Sequence, residues 1–272
     1  MSKILVLGGS GLVGKAIIAE LNKCKEFETY ATYFESSVPL MENRSFKLNS
    51  EDSDNINSIL NTLKPEIVIS SLRGNYEKQL LLHTKVAEYL KKVGGRLYFC
   101  STTNVFDKDV SKPHYEEDLP SSSTEYGQFK IECEKKVTEI LQHNACILRL
   151  PQVWGKDSPR MKQLRKAFTS NEKITIYPNL LINTITDVAI AKKVVYIIQH
   201  NLMGIFHLAA EDVINYKEFY SELLKGLNFS SEIIEENFEE EGHFAILSKR
   251  NSEFPEQLGV TNKSVIDYLT SG

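Results

Sequence analysis

The stretch that decides the fold is Lys3-Ile4-Leu5-Val6-Leu7-Gly8-Gly9-Ser10-Gly11-Leu12-Val13-Gly14, near the start of a chain of 272 residues. Its aliphatic run is typical of a buried parallel strand, and the glycines separate that strand from a helical pattern over 12–21. In such a turn Gly8 permits a sharp bend, Gly11 lets a ligand approach the main chain, and Gly14 lets helix and strand pack closely. Because a helix N-terminus offers free N–H groups and partial positive charge, the stretch predicts a site for the phosphates of a dinucleotide.

Strand-like and helix-like segments alternate from this point to residue 150. Aliphatic and aromatic runs predict strands over 28–34, 45–48, 66–70, 96–100 and 146–150, and helical spacing predicts helices over 56–63, 76–92 and 124–143. This order is typical of an α/β fold, a doubly wound parallel sheet with helices on both faces. Right-handed crossovers place the carboxyl ends of such strands at one edge, where we expect ligands to bind.

Beyond Pro151 the alternation becomes irregular. The pattern predicts helices over 161–169, 187–199 and 216–227, short strands over 174–177 and 205–208, and a solvated loop for the acidic run 235–241. We therefore predict a dinucleotide-binding domain over residues 1–155 and a smaller substrate-binding region over 156–272. Segments around 183–210 are candidates to return to the first domain.

Composition excludes several classes of function. Hydrophobic residues make up 42% of the chain and charged residues 25%, as in ordinary globular proteins. A net charge of −4 argues against a nucleic-acid partner, and the short apolar runs argue against a membrane span. The four cysteines show no C-x-x-C pair, so we expect no metal site, buried thiols at Cys100 and Cys146, and a reducing cytoplasm as the compartment.

Two further motifs carry chemistry. Tyr126 and Lys130 are spaced to share one helix face, where an ammonium group is expected to lower the tyrosine pKa and suit it to proton transfer. Ser101-Thr102-Thr103-Asn104-Val105-Phe106 directly follows the fifth predicted strand. A hydroxyl at that edge can hydrogen-bond a substrate carbonyl as charge develops on its oxygen.

Together these motifs resemble the extended short-chain dehydrogenase/reductase superfamily, and within it the dTDP-4-dehydrorhamnose reductase-like branch, whose members bind sugar nucleotides. That branch has Ser-Thr-Asp-Tyr-Val-Phe after the fifth strand and then Tyr-Gly-x-x-Lys, which Tyr126-Gly127-Gln128-Phe129-Lys130 matches in full. The segments 148–155 and 183–189 also have counterparts in the branch. The resemblance implies a Rossmann-type sheet with a smaller C-terminal part that binds substrate.

The resemblance also assigns residues to roles. It implies a catalytic set of Thr102, Tyr126 and Lys130, in which Tyr126 gives a proton to the carbonyl oxygen and Lys130 also holds the nicotinamide ribose. The expected cofactor contacts are Gly8, Ser10, Gly11, Leu12, Val13, Gly14, Thr32, Ser71, Leu72, Arg73, Tyr126, Lys130 and Pro151. The expected substrate contacts are Thr103, Asn104, Gln152 and Arg160.

The chain departs from the branch at several of these positions. Thr103-Asn104 occupies the place of the branch's Asp-Tyr, and Gln152 replaces a tryptophan that lies near the sugar. After the fourth strand the branch has a run of small residues, where this chain has Ser70-Ser71-Leu72-Arg73-Gly74. These departures put dTDP-4-dehydrorhamnose itself in doubt as the substrate. The leading hypothesis is an NAD(P)H-dependent reductase of a nucleotide-activated 4-keto sugar. Two alternatives stay open: a sugar-nucleotide epimerase with tightly held NAD, and a nucleotide-binding regulatory protein without turnover.

Two narrower expectations complete the sequence-based hypothesis. A 4,6-dehydratase is not expected, because the Asp-Glu pair that such relatives place after the threonine is Thr103-Asn104 here. No acid stands at Thr32 to hydrogen-bond a ribose 2′-hydroxyl, although Glu35 is close, so NADP is slightly favoured over NAD. A homodimer is also an expectation.

Overall fold

The computed structural model describes residues 1–49 and 53–271. Within them, the first half of the chain alternates strands and helices as predicted. Its elements are β1 (Ser2–Leu7), α1 (Leu12–Leu21), β2 (Phe27–Tyr33), β3 (Ser45–Lys47), α2 (Ser53–Leu63), β4 (Ile67–Ser70), α3 (Tyr76–Val93), β5 (Arg96–Thr102), α4 (Glu125–Leu141) and β6 (Ala145–Leu150).

The second half contains shorter elements. They are β7 (Gln152–Trp154), α5 (Pro159–Ser170), β8 (Ile174–Ile176), β9 (Asn179–Ile182), β10 (Thr184–Thr186), α6 (Asp187–Gln199), β11 (Gly204–His207), β12 (Ile214–Asn215), α7 (Tyr216–Gly226), β13 (Ile234–Glu236), β14 (Glu241–Phe244) and α8 (Asn262–Thr270). The prediction of a loop over 235–241 is wrong at both ends, because β13 pairs with β8 and β14 pairs with β9. Both partners lie far away in the chain, and a local pattern does not reveal such pairs.

The main sheet has seven parallel strands in the order β11-β6-β5-β4-β1-β2-β3. This confirms the predicted doubly wound α/β fold. The strand Gly204–His207 forms one edge of the sheet beside β6. The boundary between the two predicted domains at residue 155 stays a prediction.

Helices cover both faces of the sheet because its strands are apolar on both sides. In β1, Ile4 and Val6 face the core under α1 and α6, whereas Leu5 and Leu7 face the core under α2, α3 and α4. All four side chains are fully buried. The alternation of side chains along an extended strand explains how one short run supplies both cores.

The C-terminal lobe adds three small sheets: β10 with β7, β13 with β8, and β9 between β12 and β14. Its core around Trp154 and Phe219 is continuous with the core under α1 and α6. In the part of the chain that the structure describes, none of the helices combines the length and the hydropathy needed to cross a membrane.

Candidate active site

The carboxyl ends of β1, β4, β5 and β6 lie side by side, because these strands are parallel neighbours. Gly8 directly follows β1, Ser71 follows β4, Thr102 ends β5, and Pro151 follows β6. Four segments predicted to carry site residues therefore meet at one edge of the sheet. This is the edge at which ligands bind in doubly wound sheets.

The glycine loop after β1 is closely packed at Gly8 and at Gly14. Gly8 has a φ of +80°, and a Cβ there would lie 3.0 Å from the carbonyl oxygen of Ser71. A Cβ on Gly14 would lie 2.3 Å from the Gly8 carbonyl oxygen, which is too close for any side chain. The loop and the start of α1 are therefore packed against each other with no room for larger residues.

The N-terminus of α1 fits the diphosphate of a dinucleotide. Its N-cap residue, Gly11, makes no side-chain capping hydrogen bond, and the first turn carries no acidic residue. Gly11 is exposed, and a Cβ there would have a single neighbour, the Gly8 carbonyl oxygen at 3.3 Å. The first-turn N–H groups can thus donate hydrogen bonds to an anion without competition from the chain's own side chains. Ser10, Leu12 and Val13 surround these groups.

Thr32 lies beneath this loop. Its hydroxyl accepts the N–H of Gly8 at 3.1 Å, its carbonyl accepts the N–H of Gly9 at 2.9 Å, and its side chain is buried. Thr32 therefore shapes the main chain of the glycine loop. Its contact with a cofactor ribose stays a prediction.

The segment after β4 borders the glycine loop on its other side. The hydroxyl of Ser71 donates to the carbonyl of Leu7 at 3.2 Å, and the main chain of Leu72 lies 3.2 Å from the position of a Gly8 Cβ. Arg73 is exposed, and its positive charge is close enough to act to lower the pKa of both Tyr126 and Lys130. The segment thus connects the glycine loop to the tyrosine–lysine pair.

Thr102 and Tyr126 are neighbours across the end of β5 and the start of α4. Thr124 caps α4, and the carboxylate of Asp107 accepts hydrogen bonds from the serines and threonine just before the helix. The side chains of Thr102 and Tyr126 lie close enough together for the threonine hydroxyl to act against a rise in the pKa of the tyrosine. The sequence motifs after β5 and on α4 therefore form one site.

Lys130 lies one turn further along α4 and is buried. Its ammonium donates to the carbonyl of Cys100 at 2.9 Å and lies 4.6 Å from the centre of the Phe99 ring. Burial lowers the pKa of Lys130, while Cys133, Cys100 and Glu134 oppose that change. The ammonium group is thus anchored to the main chain of β5, just before Thr102.

The expected lowering of the Tyr126 pKa is wrong. Burial raises this pKa above its ordinary value, and the Thr102 hydroxyl and the Arg73 charge oppose the rise without overcoming it. The Lys130 ammonium is instead directed at Cys100. Tyr126 is therefore protonated at neutral pH.

The predicted substrate residues differ in what they offer. The hydroxyl of Thr103 is buried and donates to the carbonyl of Leu150 at 3.3 Å, whereas Asn104 is half-buried and accepts a hydrogen bond from Thr102. The Oε1 atom of Gln152 is buried and has no hydrogen-bond partner among the described residues. Arg160 is exposed at the start of α5, where its positive charge acts to lower the pKa of Tyr220. Asn104 thus offers a polar group to a ligand, whereas the Thr103 hydroxyl is bonded within the protein and the Gln152 oxygen is buried.

A buried ion pair behind this edge was not predicted from the sequence. Glu134 on α4 accepts hydrogen bonds from Arg149 on β6, the shortest at 2.8 Å, and another from the hydroxyl of Ser101. Arg149 also donates to His207, which in turn donates to the carbonyl of Leu247 at 2.9 Å. The network links the residue before Thr102 to the C-terminal lobe.

One signal for this pair was present in the sequence. Glu134 stands four residues after Lys130, so it shares the helix face that carries the tyrosine–lysine motif. Its partner on β6 is not visible from local spacing. In residues 1–49 and 53–271, no three His, Cys, Asp or Glu side chains are arranged to hold a metal ion.

Comparison with known proteins identifies the family. The profile described as RmlD substrate binding domain matches residues 74–267, well over half of the chain. The chain belongs to this family. The resemblance to dTDP-4-dehydrorhamnose reductase-like proteins is thereby confirmed.

Solved structures support the fold of this RmlD-family chain. A dTDP-4-dehydrorhamnose reductase from Clostridium acetobutylicum superposes with a TM-score of 0.82 at 18% identity, over 98% of each chain. The reductase from Bacillus anthracis, solved in complex with NADP, gives a TM-score of 0.83 at 16% identity, over 99% of each chain. At such identities the similarity shows the fold.

The chain is also similar to a protein that is named as a subunit of another enzyme. The β subunit of mouse methionine adenosyltransferase 2 is 26% identical over 166 residues, which is 57% of this chain and 48% of the relative. The match thus spans about half the length of that curated relative.

Proposed function

We propose that this RmlD-family protein is an NAD(P)H-dependent reductase that acts on the carbonyl of a nucleotide-activated 4-keto sugar. The observation that carries the proposal is the convergence of Thr102, Tyr126 and Lys130 with the glycine loop at one sheet edge. A binding loop for a dinucleotide and a proton donor beside it are the two parts that a carbonyl reduction needs.

The residues of the chain then have separate tasks. When bound, a reduced nicotinamide supplies the hydride. Tyr126 gives its proton to the carbonyl oxygen, and the Thr102 hydroxyl hydrogen-bonds that oxygen as charge develops on it. Lys130, anchored at Cys100, is assigned to the nicotinamide ribose. The glycine loop and the N-terminus of α1 hold the diphosphate. The remaining cofactor contacts lie at the same edge on the two sides of Thr102: Ser71, Leu72 and Arg73 after β4, and Pro151 after β6.

Tyr126 is suited to be the proton donor of a carbonyl reduction. Burial raises the pKa of its phenol above the ordinary value, so the proton that the carbonyl oxygen needs is in place. An epimerase begins by oxidising its substrate, which requires the phenolate as a base. Release of tightly held NAD from the purified protein would favour the epimerase, and exchangeable NADPH would favour the reductase.

We assign NADP as the slightly preferred cofactor. Thr32 brings no carboxylate to the end of β2, and its hydroxyl is bound to the glycine loop. A 2′-phosphate would therefore meet no negative charge from Thr32. The NADP complex of the Bacillus anthracis relative is consistent with this choice.

A second candidate is a nucleotide-binding regulatory subunit without turnover. The similarity to the β subunit of mouse methionine adenosyltransferase 2 favours it. The departures at Thr103, Asn104 and Gln152 also lie on the substrate side of the site, where a protein without turnover can lose the family's residues.

The deciding experiment is an NADPH-oxidation assay over a panel of nucleotide-activated 4-keto sugars. Tyr126→Phe should lower kcat by about 10²–10⁴-fold, with NADPH affinity nearly unchanged, because only the proton donor is lost. Lys130→Met should weaken NADPH binding as well as turnover. Thr102→Ala should lower kcat more than it raises KM, because its hydrogen bond to the carbonyl oxygen strengthens as negative charge develops there.

Tyr89→Phe is the matched control, because Tyr89 lies near the other end of α3 from the site and loses the same hydroxyl. It should keep full activity. Wild-type protein that binds NADPH and oxidises it with no member of the panel would favour the regulatory subunit. Near-full activity of Tyr126→Phe would contradict the catalytic assignment.

A further inference from the structure

The segment 71–76, between β4 and α3, connects the two halves of the candidate site. At its start, a Cβ on Gly8 would lie 3.0 Å from the carbonyl oxygen of Ser71. At its end, the centre of the Tyr76 ring lies 5.9 Å from the centre of the Tyr126 ring. Arg73 stands between these two contacts. It therefore lies between the loop assigned to the dinucleotide and the residue assigned as the proton donor.

The guanidinium group of Arg73 has no partner in the described part of the chain. The side chain is exposed, and within residues 1–49 and 53–271 it forms no hydrogen bond and no ion pair. Its positive charge nevertheless acts to lower the pKa of the buried groups Tyr126 and Lys130. An exposed cation beside two buried groups of a site serves a ligand better than it serves the fold.

Two carboxylates hydrogen-bonded to residues around the tyrosine–lysine motif are engaged elsewhere. Asp107 accepts hydrogen bonds from the serines and the threonine just before α4, and Glu134 is paired with Arg149 at 2.8 Å. Lys130 donates to a backbone carbonyl, which is neutral. Neither of these carboxylates compensates Arg73, so the site carries a positive charge that an anionic ligand can neutralise.

The diphosphate of a dinucleotide has another place to bind. The N-terminus of α1 has free N–H groups and no side-chain cap. The charge of Arg73, in contrast, acts on Tyr126 and Lys130, which are assigned to the reacting end of the site. The main chain of Arg73 can border the cofactor while its side chain faces the substrate. This placement favours an anionic group of the substrate near the reacting carbonyl.

We propose that Arg73 binds a carboxylate of the substrate, so that the protein acts on an acidic nucleotide-activated keto sugar. The inference rests on the proposed reductase function and narrows its substrate class. The planar guanidinium of an arginine can bind both oxygens of a carboxylate at once. A neutral sugar with a hydroxymethyl group in place of the carboxylate would leave Arg73 without a counter-charge.

Binding of stable nucleotide sugars tests this role without turnover. UDP-glucuronate carries a carboxylate where UDP-glucose carries a hydroxymethyl group, and the two dTDP-sugars give the same pair with another base. In the presence of NADP⁺, calorimetry should show the acidic sugar of at least one pair binding about 10–100-fold more tightly than the neutral sugar. Arg73→Gln should abolish this preference and leave the affinities for NADP⁺ and for the neutral sugar nearly unchanged. Arg73→Lys should keep part of the preference, because it keeps the charge and loses the fork.

The matched control is Arg165→Gln, which makes the same change at an exposed position of α5 and should leave the preference unchanged. Equal affinity of the wild-type protein for the acidic and the neutral sugar overturns the proposal, and so does a preference that survives Arg73→Gln. Loss of NADP⁺ affinity in Arg73→Gln with an unchanged sugar preference also overturns it, because the side chain would then serve the cofactor.

Failure of the proposed function has a different signature. Wild-type protein that binds neither sugar of either pair would contradict the binding of a nucleotide sugar, and the inference would fall with it. A preference for the acidic sugar that depends on Arg73, without NADPH oxidation on any acidic keto sugar, would contradict the reductase and still support the acidic class of ligand.

Discussion

The candidate-site edge, formed by the carboxyl ends of β1, β4, β5 and β6, and the C-terminal lobe are stabilised in different ways. At the edge, parallel strands pair in regular register, and glycines allow the main chain of the loop to pack without side chains. In the lobe, strands of two to four residues are joined by buried amide side chains, of which Asn183 and Asn262 are fully buried. Regular pairing can be predicted from local patterns, whereas single side chains that join distant segments cannot.

The buried pair of Arg149 and Glu134 is linked to Leu247 of the lobe through His207, so its loss should have the largest effect. Arg149→Met leaves the Glu134 carboxylate buried without its cation, and we expect the free energy of unfolding to fall by about 3–5 kcal/mol. Urea unfolding followed by circular dichroism and by the fluorescence of Trp154, the single tryptophan, would measure it in both regions.

The double variant Arg149→Met with Glu134→Gln is the matched control. It removes the stranded charge, so it should recover part of the lost stability. Wild-type stability of Arg149→Met would contradict this prediction. A double variant that is much less stable than Arg149→Met alone would contradict it too, because the two side chains would then contribute independently.

Asn183 allows the lobe to be weakened alone. Its Nδ2 donates to the carbonyls of Ala210 and Ile246 at 3.0 and 2.6 Å, and its Oδ1 accepts the N–H of Ile246 at 3.3 Å. Asn183→Ala leaves these buried backbone groups without partners and should cost about 2–3 kcal/mol. NADPH affinity, measured by calorimetry at a temperature where the variant is folded, should stay unchanged. A marked loss of affinity would show that the lobe and the glycine loop are coupled.

The sequence predicts the elements of the candidate-site edge better than those of the lobe for a physical reason. Strands β1 to β6 and the helices between them show hydrophobic periods that mark their type, and their ends lie within a few residues of the prediction. Strands β7, β9, β10 and β12 are two to four residues long and were not predicted, because so few residues define no period. Helix α8 was also missed.

Within the site, sequence reasoning identified the motifs but not their hydrogen bonds. Thr102 and Tyr126 follow from the resemblance, and the structure brings them together. The direction of the Lys130 ammonium depends on the Cys100 carbonyl and the Phe99 ring, which lie on another element. The rise of the Tyr126 pKa depends on burial, a property of the packed molecule that spacing does not contain.

The glycine loop allows stability and cofactor binding to be separated. Gly14→Ala places a Cβ 2.3 Å from the Gly8 carbonyl oxygen, so the loop must move. We expect the free energy of unfolding to fall by about 1–3 kcal/mol and the affinity for NADPH to fall as well. Gly11→Ala meets only one atom at 3.3 Å, so the melting temperature should change little while NADPH affinity still falls. Equal melting temperatures for the two variants would contradict this difference between the glycines.

The smallest effect concerns His83, which lies against Ser70 behind the candidate-site edge. Its Nδ1 donates to the carbonyl of Gln79 and its Nε2 accepts the hydroxyl of Ser70, each at 2.7 Å, because the carbonyl can only accept. Burial, and then the charge of Lys130, lowers the pKa of His83 to about 3. The histidine is therefore neutral in the folded protein under ordinary conditions.

This lowered pKa makes stability depend on pH. Between about pH 6.5 and pH 3 the unfolded chain binds a proton at this histidine that the folded protein does not bind, so its contribution is complete above pH 6.5 and is lost as the pH falls. The free energy of unfolding should fall by up to about 1.4 kcal/mol per pH unit from this group. His83→Gln cannot titrate, so its stability should fall less steeply than that of the wild-type protein between pH 6 and pH 4. Urea unfolding at several pH values would measure the two slopes, and identical slopes would mean that His83 is protonated in the folded state.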